Sequence, residues 1–201
     1  MDKICPTPIN DAVKWDTSKT IVSKADLYGT LEYVNDTFSE VSGYDESELV
    51  GQPHNIIRHP DMPKVIFKVL WDNIQKGKKF HGIIKNLAKS GKYYWVITDF
   101  DYVVNDDAKI TKYIARRKAI STGVIEKVEE LYKKLSKIEQ VSGIEASEKY
   151  LIGYLEDHNV DYVELITKLM MDDLNEQVQL ESSTEEIEET KKSFFGRFFG
   201  N

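Results

Sequence analysis

The chain has 201 residues with 27 basic and 34 acidic side chains, a formal charge of −7, which leaves room for one ordinary domain with extensions and excludes a large multidomain enzyme. At 41% hydrophobic and 30% charged, with only 11 Gly and 5 Pro, it holds enough apolar material for a sizeable core and is neither collagen-like nor low-complexity. The acidic balance without a basic cluster argues against a nucleic-acid partner, the single cysteine, Cys5, rules out an internal disulfide and a multi-cysteine zinc site, and no stretch reaches the ~20 apolar residues of a transmembrane segment.

Residues 1–19 are polar and broken by Pro6 and Pro8, with Ile9, Val13 and Trp15 as docking points, and read as an N-terminal cap. The start MDKICPTPINDAVKW lacks the apolar run of a signal peptide, which together with the lone cysteine predicts a cytoplasmic protein. From residue 20 to 120 short segments alternate with turn signals. TIVSKADLYGTLEYVN reads as a hairpin turned near Leu27-Tyr28-Gly29, and NDTFSEVSGYDESELVG as two short helices separated by Gly43. Asn35 or Asp36 can cap the first and Asp45 the second, a side-chain oxygen accepting from a free backbone N–H.

HPDMPKVIFKVLWDNIQKG predicts a helix of about four turns. Asp61 is its expected N-cap, Pro63 sits early in the first turn, Val65, Ile66, Val69, Leu70 and Ile74 recur at helical spacing, and Gly77 is the stop. Three strands are expected next, FHGIIKNLA, KYYWVITDFDYVV and KITKYIARRKAI, joined by turns at Lys89-Ser90-Gly91 and Asn105-Asp106-Asp107. Two strands, several helices and three antiparallel strands satisfy one α+β architecture, a five-stranded antiparallel sheet with helices on one face.

After Ser121 the period becomes helical. Val124, Val128, Leu131, Leu135 and Ile138 form one stripe, which needs a partner: a second copy of the chain, giving a homodimer, or the chain's own sheet. Two further helices follow, separated at His158-Asn159, so residues 121–174 read as a small helical signalling or dimerisation region. Residues 172–201 hold eight acids and three bases (−5) against 26 acids and 24 bases (−2) before them. Residues 175–201 are accordingly expected to be a disordered acidic tail. It ends in KKSFFGRFFGN, read either as a docking peptide or as a packing or membrane-touching end.

The segments NDTFSEVSGYDESELVGQPHNIIRHPDMP and GIIKNLAKSGKYYWV together resemble PAS domains, and among them the FAD-binding PAS domain of bacterial aerotaxis receptors; GQPHN, RHPDMP and G-I-x-K-N occur in order. The resemblance covers about residues 20–120 and implies the PAS fold, a non-covalent FAD between the sheet and the long helix, and a redox or energy signal. The positions it implies for the cofactor are Asn35, Arg58, His59, Asp61, Trp71, Phe80, Asn86 and Trp95. Asn86 alternates with Ile84 and Ala88, so it faces the inner surface if they do and solvent if they do not. Asp61 has its capping role beside any cofactor contact, Trp71 also reads as a core residue, and alternation leaves the side of Trp95 open. Phe80 stands where aerotaxis-type domains carry a tryptophan, which removes an indole donor and some stacking area. His81 beside it raises haem b as the alternative cofactor, through one axial imidazole. A cofactor-free PAS scaffold is the remaining reading.

A light-driven flavin–cysteine adduct is set aside, because GQPHNIIRHPDMP contains no cysteine. Nucleophile-elbow, zinc-protease, P-loop and kinase signatures are absent, and His158 lacks a phosphoacceptor context, so no enzyme is expected. Without an anchor of its own, the chain suggests a split system in which this PAS protein signals to a separate membrane-bound chemoreceptor, as in bipartite energy-taxis pairs. The expected relay runs through Arg116, Arg117 and Ile120 into the helix near Val124.

Overall fold

The computed structural model of the chain describes residues 6–181. Five strands, β1 (Ile21–Ala25), β2 (Leu31–Val34), β3 (Phe80–Leu87), β4 (Tyr93–Val104) and β5 (Ile110–Ala119), form one antiparallel sheet in the order β2-β1-β5-β4-β3. The first hairpin turns at Gly29, whose φ of +84° suits glycine. A Cβ there would also come within 3.2 Å of the Trp71 ring. Between β2 and β3 run α1 (Asp36–Ser42), α2 (Glu46–Leu49), a 3-10 turn at His54–Ile57, and α3 (Lys64–Ile74). Helix α3 buries Val65, Ile66, Leu70 and Ile74 over the sheet, the stripe expected from its sequence. Each such side chain contributes about 1.5–3 kcal/mol by leaving water. The five-stranded antiparallel sheet with helices packed on it, expected from the sequence, is therefore what the chain adopts.

Three further helices follow: α4 (Thr122–Ser142), α5 (Ile144–Asp157) and α6 (Tyr162–Glu181). The stripe on α4 is covered by its own chain. Val124, Val128, Leu131 and Leu135 belong to the same core as the sheet and α3, so they are not free to form a dimer. The helix α6 runs to Glu181, so residues 175–181 are helical rather than part of a disordered tail. The Phe-rich end lies outside the described residues. In the segment before β1, the Val13 N–H donates to the Tyr93 carbonyl (2.8 Å) and the Tyr93 N–H to that of Asp11 (3.0 Å). Val13 and Trp15 pack on the core, whereas Ile9 stays exposed. No described helix is long and apolar enough to cross a membrane.

Asp61 does not cap α3. The cap position is Pro63, which has no side-chain acceptor, and the Asp61 carboxylate is drawn instead to the Lys85 ammonium at 2.8 Å. The amides of Lys64 and Val65 donate to the two carboxylate oxygens of Glu139 on α4, at 2.9 and 2.8 Å.

At the free edge of β3, the hydroxyl of Tyr132 on α4 donates to the Ile83 carbonyl at 2.8 Å and meets the hydroxyl of Tyr162 on α6. Removing that hydroxyl leaves a buried carbonyl without its donor, which costs about 1–3 kcal/mol. We expect Tyr132→Phe to lower the urea midpoint by that amount with the helical circular dichroism unchanged; an unaltered midpoint would show that the edge needs no help from α4.

Candidate functional site

A cleft opens between the sheet and α3. Its cavity volume is about 80 Å³. Phe67, Leu70, Trp71 and Ile74 of α3 face Ile84, Phe100, Tyr113 and Ala115 of the sheet across it. Two flat apolar walls result, with Trp71 set edge-on to Tyr113 at 5.7 Å.

Polar groups punctuate these walls, and several have no partner. Asn86 is 3% exposed, and neither its Nδ2 nor the Thr98 Oγ1 has a hydrogen bond. The two line the cleft from neighbouring strands. Arg58 holds its guanidinium over the Phe67 ring at 3.8 Å and leaves Nε unpaired. A buried donor without an acceptor costs roughly 1–3 kcal/mol. Three such groups around one cleft are matched by a ligand with an acceptor-rich edge and flat apolar faces.

The deepest charge is Arg117, 2% exposed. Both terminal nitrogens donate to the Ser23 hydroxyl at 3.1 Å, one also to the Ala115 carbonyl at 3.3 Å and the other to His54 Nε2. No carboxylate is among these partners. A guanidinium only donates, so His54 Nε2 is the bare nitrogen and the ring proton sits on Nδ1. Enclosure, and then the Arg117 charge, push the His54 imidazole down to about 3, while burial pulls Arg117 down to about 10. At neutral pH the pair is therefore one cation and one neutral ring.

The cleft brings together three of the eight expected positions, Arg58, Trp71 and Asn86. The other five sit elsewhere for identifiable reasons. Asn35 is consumed by structure: Oδ1 accepts from the Phe38 and Val22 amides and Nδ2 donates to the Thr20 carbonyl. Asp61 pairs with Lys85 outside the cleft. His59 is buried beside Tyr93, its Nδ1 accepting from the Asp61 amide, and its imidazole is held below the usual range by burial and the Lys85 charge. Phe80 is fully buried but stacks on Tyr162 of α6, the rings 5.4 Å apart and parallel within 2°. Trp95 pairs across the ladder with Lys85, on the face opposite Asn86, and packs against Tyr132. His81, the haem alternative, is also outside the cleft, its Nε2 against the Thr167 hydroxyl (2.8 Å) and the Val163 carbonyl (3.2 Å).

Sequence reasoning missed His54, Thr98 and Ser23, and placed Arg117 in the relay rather than the cleft. The signal for Arg117 was available: of two adjacent arginines on a strand, alternation turns one inward. Arg116 reaches outward to Asp101 at 3.7 Å.

Beyond the cleft mouth a surface groove of about 650 Å³ is lined by Tyr44, Gln52, His59 and Lys64, and shares Asn55 and Arg58 with the cleft.

Residues 31–116 match the family described as the PAS fold. The chain is 43% identical over 130 residues to the aerotaxis receptor of Escherichia coli (strain K12), covering 65% of this chain and 24% of the receptor. It is 24% identical over 106 residues to the nitrogen fixation regulatory protein of Klebsiella pneumoniae, covering 53% of this chain and 21% of that protein. The chain thus spans about a quarter of the length of these curated relatives. Among solved structures it resembles a PAS domain from Colwellia psychrerythraea, with 22% identity, a TM-score of 0.46, and 50% of this chain and 86% of that one covered.

The His54 imidazole gives a pH signature. The unfolded chain takes up a proton near pH 6.5 and the folded chain only near 3, so stability present at pH 7 is lost as the pH falls through that window. Urea midpoints at pH 7 and 5 should fall on acidification, and His54→Gln should flatten the fall; an equal slope in both proteins refutes the assignment.

Proposed function

From the PAS domain that this chain carries, we propose a cytoplasmic redox or energy sensor that holds FAD in the cleft and reports its state to a separate membrane-bound chemoreceptor. The observation that carries this reading is the set of unpartnered buried groups, Asn86 Nδ2, Thr98 Oγ1 and Arg58 Nε, on the walls of an otherwise apolar slot. A flavin offers faces for such walls and carbonyl and imine acceptors for such donors. The likeness to an aerotaxis receptor supports a signalling rather than a catalytic role.

Asn86 and Thr98 would hold the polar edge of the ring, and Leu70, Trp71, Ile84 and Tyr113 its faces. When bound, a flavin supplies one- and two-electron redox chemistry with a change of charge on its ring. Arg117, a buried cation without a carboxylate, favours whichever state places negative charge nearby. His54 stays neutral beside it and accepts its hydrogen bond, so the guanidinium is aimed without being neutralised. The groove shared through Asn55 and Arg58 supports FAD over a shorter flavin, since Lys64 and Arg58 stand where a diphosphate tail would leave the cleft.

The small size of the cleft favours one competing reading. Its 80 Å³ is below the roughly 300–1,000 Å³ of ordinary ligand sites, so a three-ring ligand requires Phe67 and Trp71 to move outward, and a cofactor-free scaffold requires nothing. Haem is less well served, because His81 is turned to α6.

Colour decides among these. The purified full chain should show the yellow flavin absorption, and the extracted ligand should chromatograph as FAD. Asn86→Ala and Arg58→Ala should lose most of that colour while keeping the circular dichroism of the parent. A colourless parent supports the scaffold, and a Soret band supports haem.

A further inference from the structure

Residues 58–65 form a strap that touches both the cleft and the C-terminal helices. At one end Arg58 pairs with Asn86 through an isolated antiparallel bridge at the free edge of β3, so the strap begins on the backbone of a cleft residue. In its middle Met62 Sδ accepts from the Lys85 amide at 3.2 Å, and Asp61 pairs with the Lys85 ammonium at 2.8 Å. At its far end the strap becomes α3, whose Lys64 and Val65 amides are held by the carboxylate of Glu139. The hydroxyl of Ser136, one turn earlier on α4, donates to the Asp61 carbonyl at 2.9 Å.

Such a cap is unusual in its source. A helix start leaves four backbone N–H groups without partners, and the local chain normally supplies the acceptor. Here the cap residue is Pro63, and Asp61 is committed to Lys85. The acceptor comes from 74 and 75 residues away, so α3 and the second half of α4 complete each other. The first half of α4 is held independently, by Ser121 capping the Val124 amide at 3.2 Å and by Tyr132 on the Ile83 carbonyl. Behind α4, α5 follows the same attachment, with Ser147 donating to the Leu135 carbonyl at 3.2 Å and Glu148 reaching Lys68 of α3 at 2.6 Å.

We propose that Glu139 is a releasable latch: its two carboxylate oxygens on the start of α3 hold the segment from about Lys133 through α5 against the strap, and displacement of the strap frees that segment while α4 stays anchored up to Tyr132. That the strap is displaced by the state of a cleft ligand rests on the sensor reading above; the latch itself does not. Lifting the Arg58–Asn86 bridge moves the Lys64 and Val65 amides away from Glu139, and with those two charge-assisted hydrogen bonds gone the segment keeps the burial of Leu135 and Leu151 and the Lys68–Glu148 pair as its remaining holds.

Hydrogen exchange of the full chain, followed by mass spectrometry, tests this in two arms. In the first, Glu139→Ala should speed exchange by roughly five- to tenfold, the scale of losing a helix cap. The increase should fall together in peptides covering 62–66 and 133–157, with 122–131 and the sheet as in the parent. Glu139→Gln, which keeps one carbonyl acceptor, should give a smaller increase in the same peptides, and it carries the test should Glu139→Ala fail to fold. An increase confined to 62–66 makes Glu139 a cap without a latch and overturns the proposal, as does an increase spread over the sheet in the glutamine variant. In the second arm the parent protein, loaded with flavin, is compared oxidised and reduced by dithionite. The same peptides should respond; a yellow protein whose 133–157 region is indifferent to reduction overturns the regulatory use of the latch. A protein that takes no flavin refutes the sensor reading alone, and the first arm still decides the latch.

Discussion

An edge strand buried on both faces leaves a row of N–H and C=O groups that water cannot reach, and the rest of this molecule is arranged around meeting that demand at β3. Seven of its eight residues are buried. Its inner neighbour β4 satisfies one side of the backbone. The outer side is satisfied piecemeal, by a bridge from Arg58 to Asn86, by Met62 Sδ at Lys85 and by the Tyr132 hydroxyl at Ile83. Two of these partners come from the segment before α3 and the third from α4. The strand that offers Asn86 to the cleft therefore also holds the strap and the C-terminal helices, and a shift of β3 is felt by both.

The cleft is the place where the demand is left unmet. A folded chain ordinarily gives buried donors a partner, because an orphan costs more than a hydrogen bond returns. Arg117 is nearly satisfied, but only by neutral acceptors, so its charge is hydrogen-bonded and yet uncompensated. Asn86 Nδ2 and Thr98 Oγ1 have no hydrogen-bond partner. Had evolution wanted only a packed core, an aliphatic residue at each of these positions would have been more stable, as replacement of buried charges by apolar groups generally is. The retained polarity makes chemical sense as recognition of something that brings its own acceptors.

Much of this was legible from local chemistry. The first hairpin, the cap at Asn35, the turns before β4 and β5, and the stripe of α3 follow from short-range rules, and the structure keeps them. Asn86 was legible as soon as Ile84 was taken as inward-facing, since the pleat repeats every second residue. What was not legible depends on contacts distant in sequence. The Asp61 carboxylate is well placed to cap α3 until Lys85, 24 residues later, outbids the helix, and Glu139, 75 residues beyond Lys64, takes over the amides. The side taken by Trp95 could not be read from a segment whose two faces are both apolar. Nor could the destination of the α4 stripe, since a chain's own core and a second copy present the same chemistry to it.

Phe80 shows how one substitution can move a residue between two roles. By resemblance its position faces a cofactor ring, and an indole there would add a donor. In this chain the phenyl ring lies flat against Tyr162 at the start of α6, whose hydroxyl meets Tyr132. Gly82 opposite leaves room for this stack, because a Cβ there would come within 3.1 Å of the Phe80 ring and 3.3 Å of the Tyr162 hydroxyl. A phenyl has no polar atom to satisfy, so it can be sealed beneath a helix at no cost in hydrogen bonds, which an indole N–H could not. The loss of a donor on the strand that borders the cleft is thus the gain of a docking surface for α6. The helices that follow the domain are bound to the same strand that carries the candidate ligand contact.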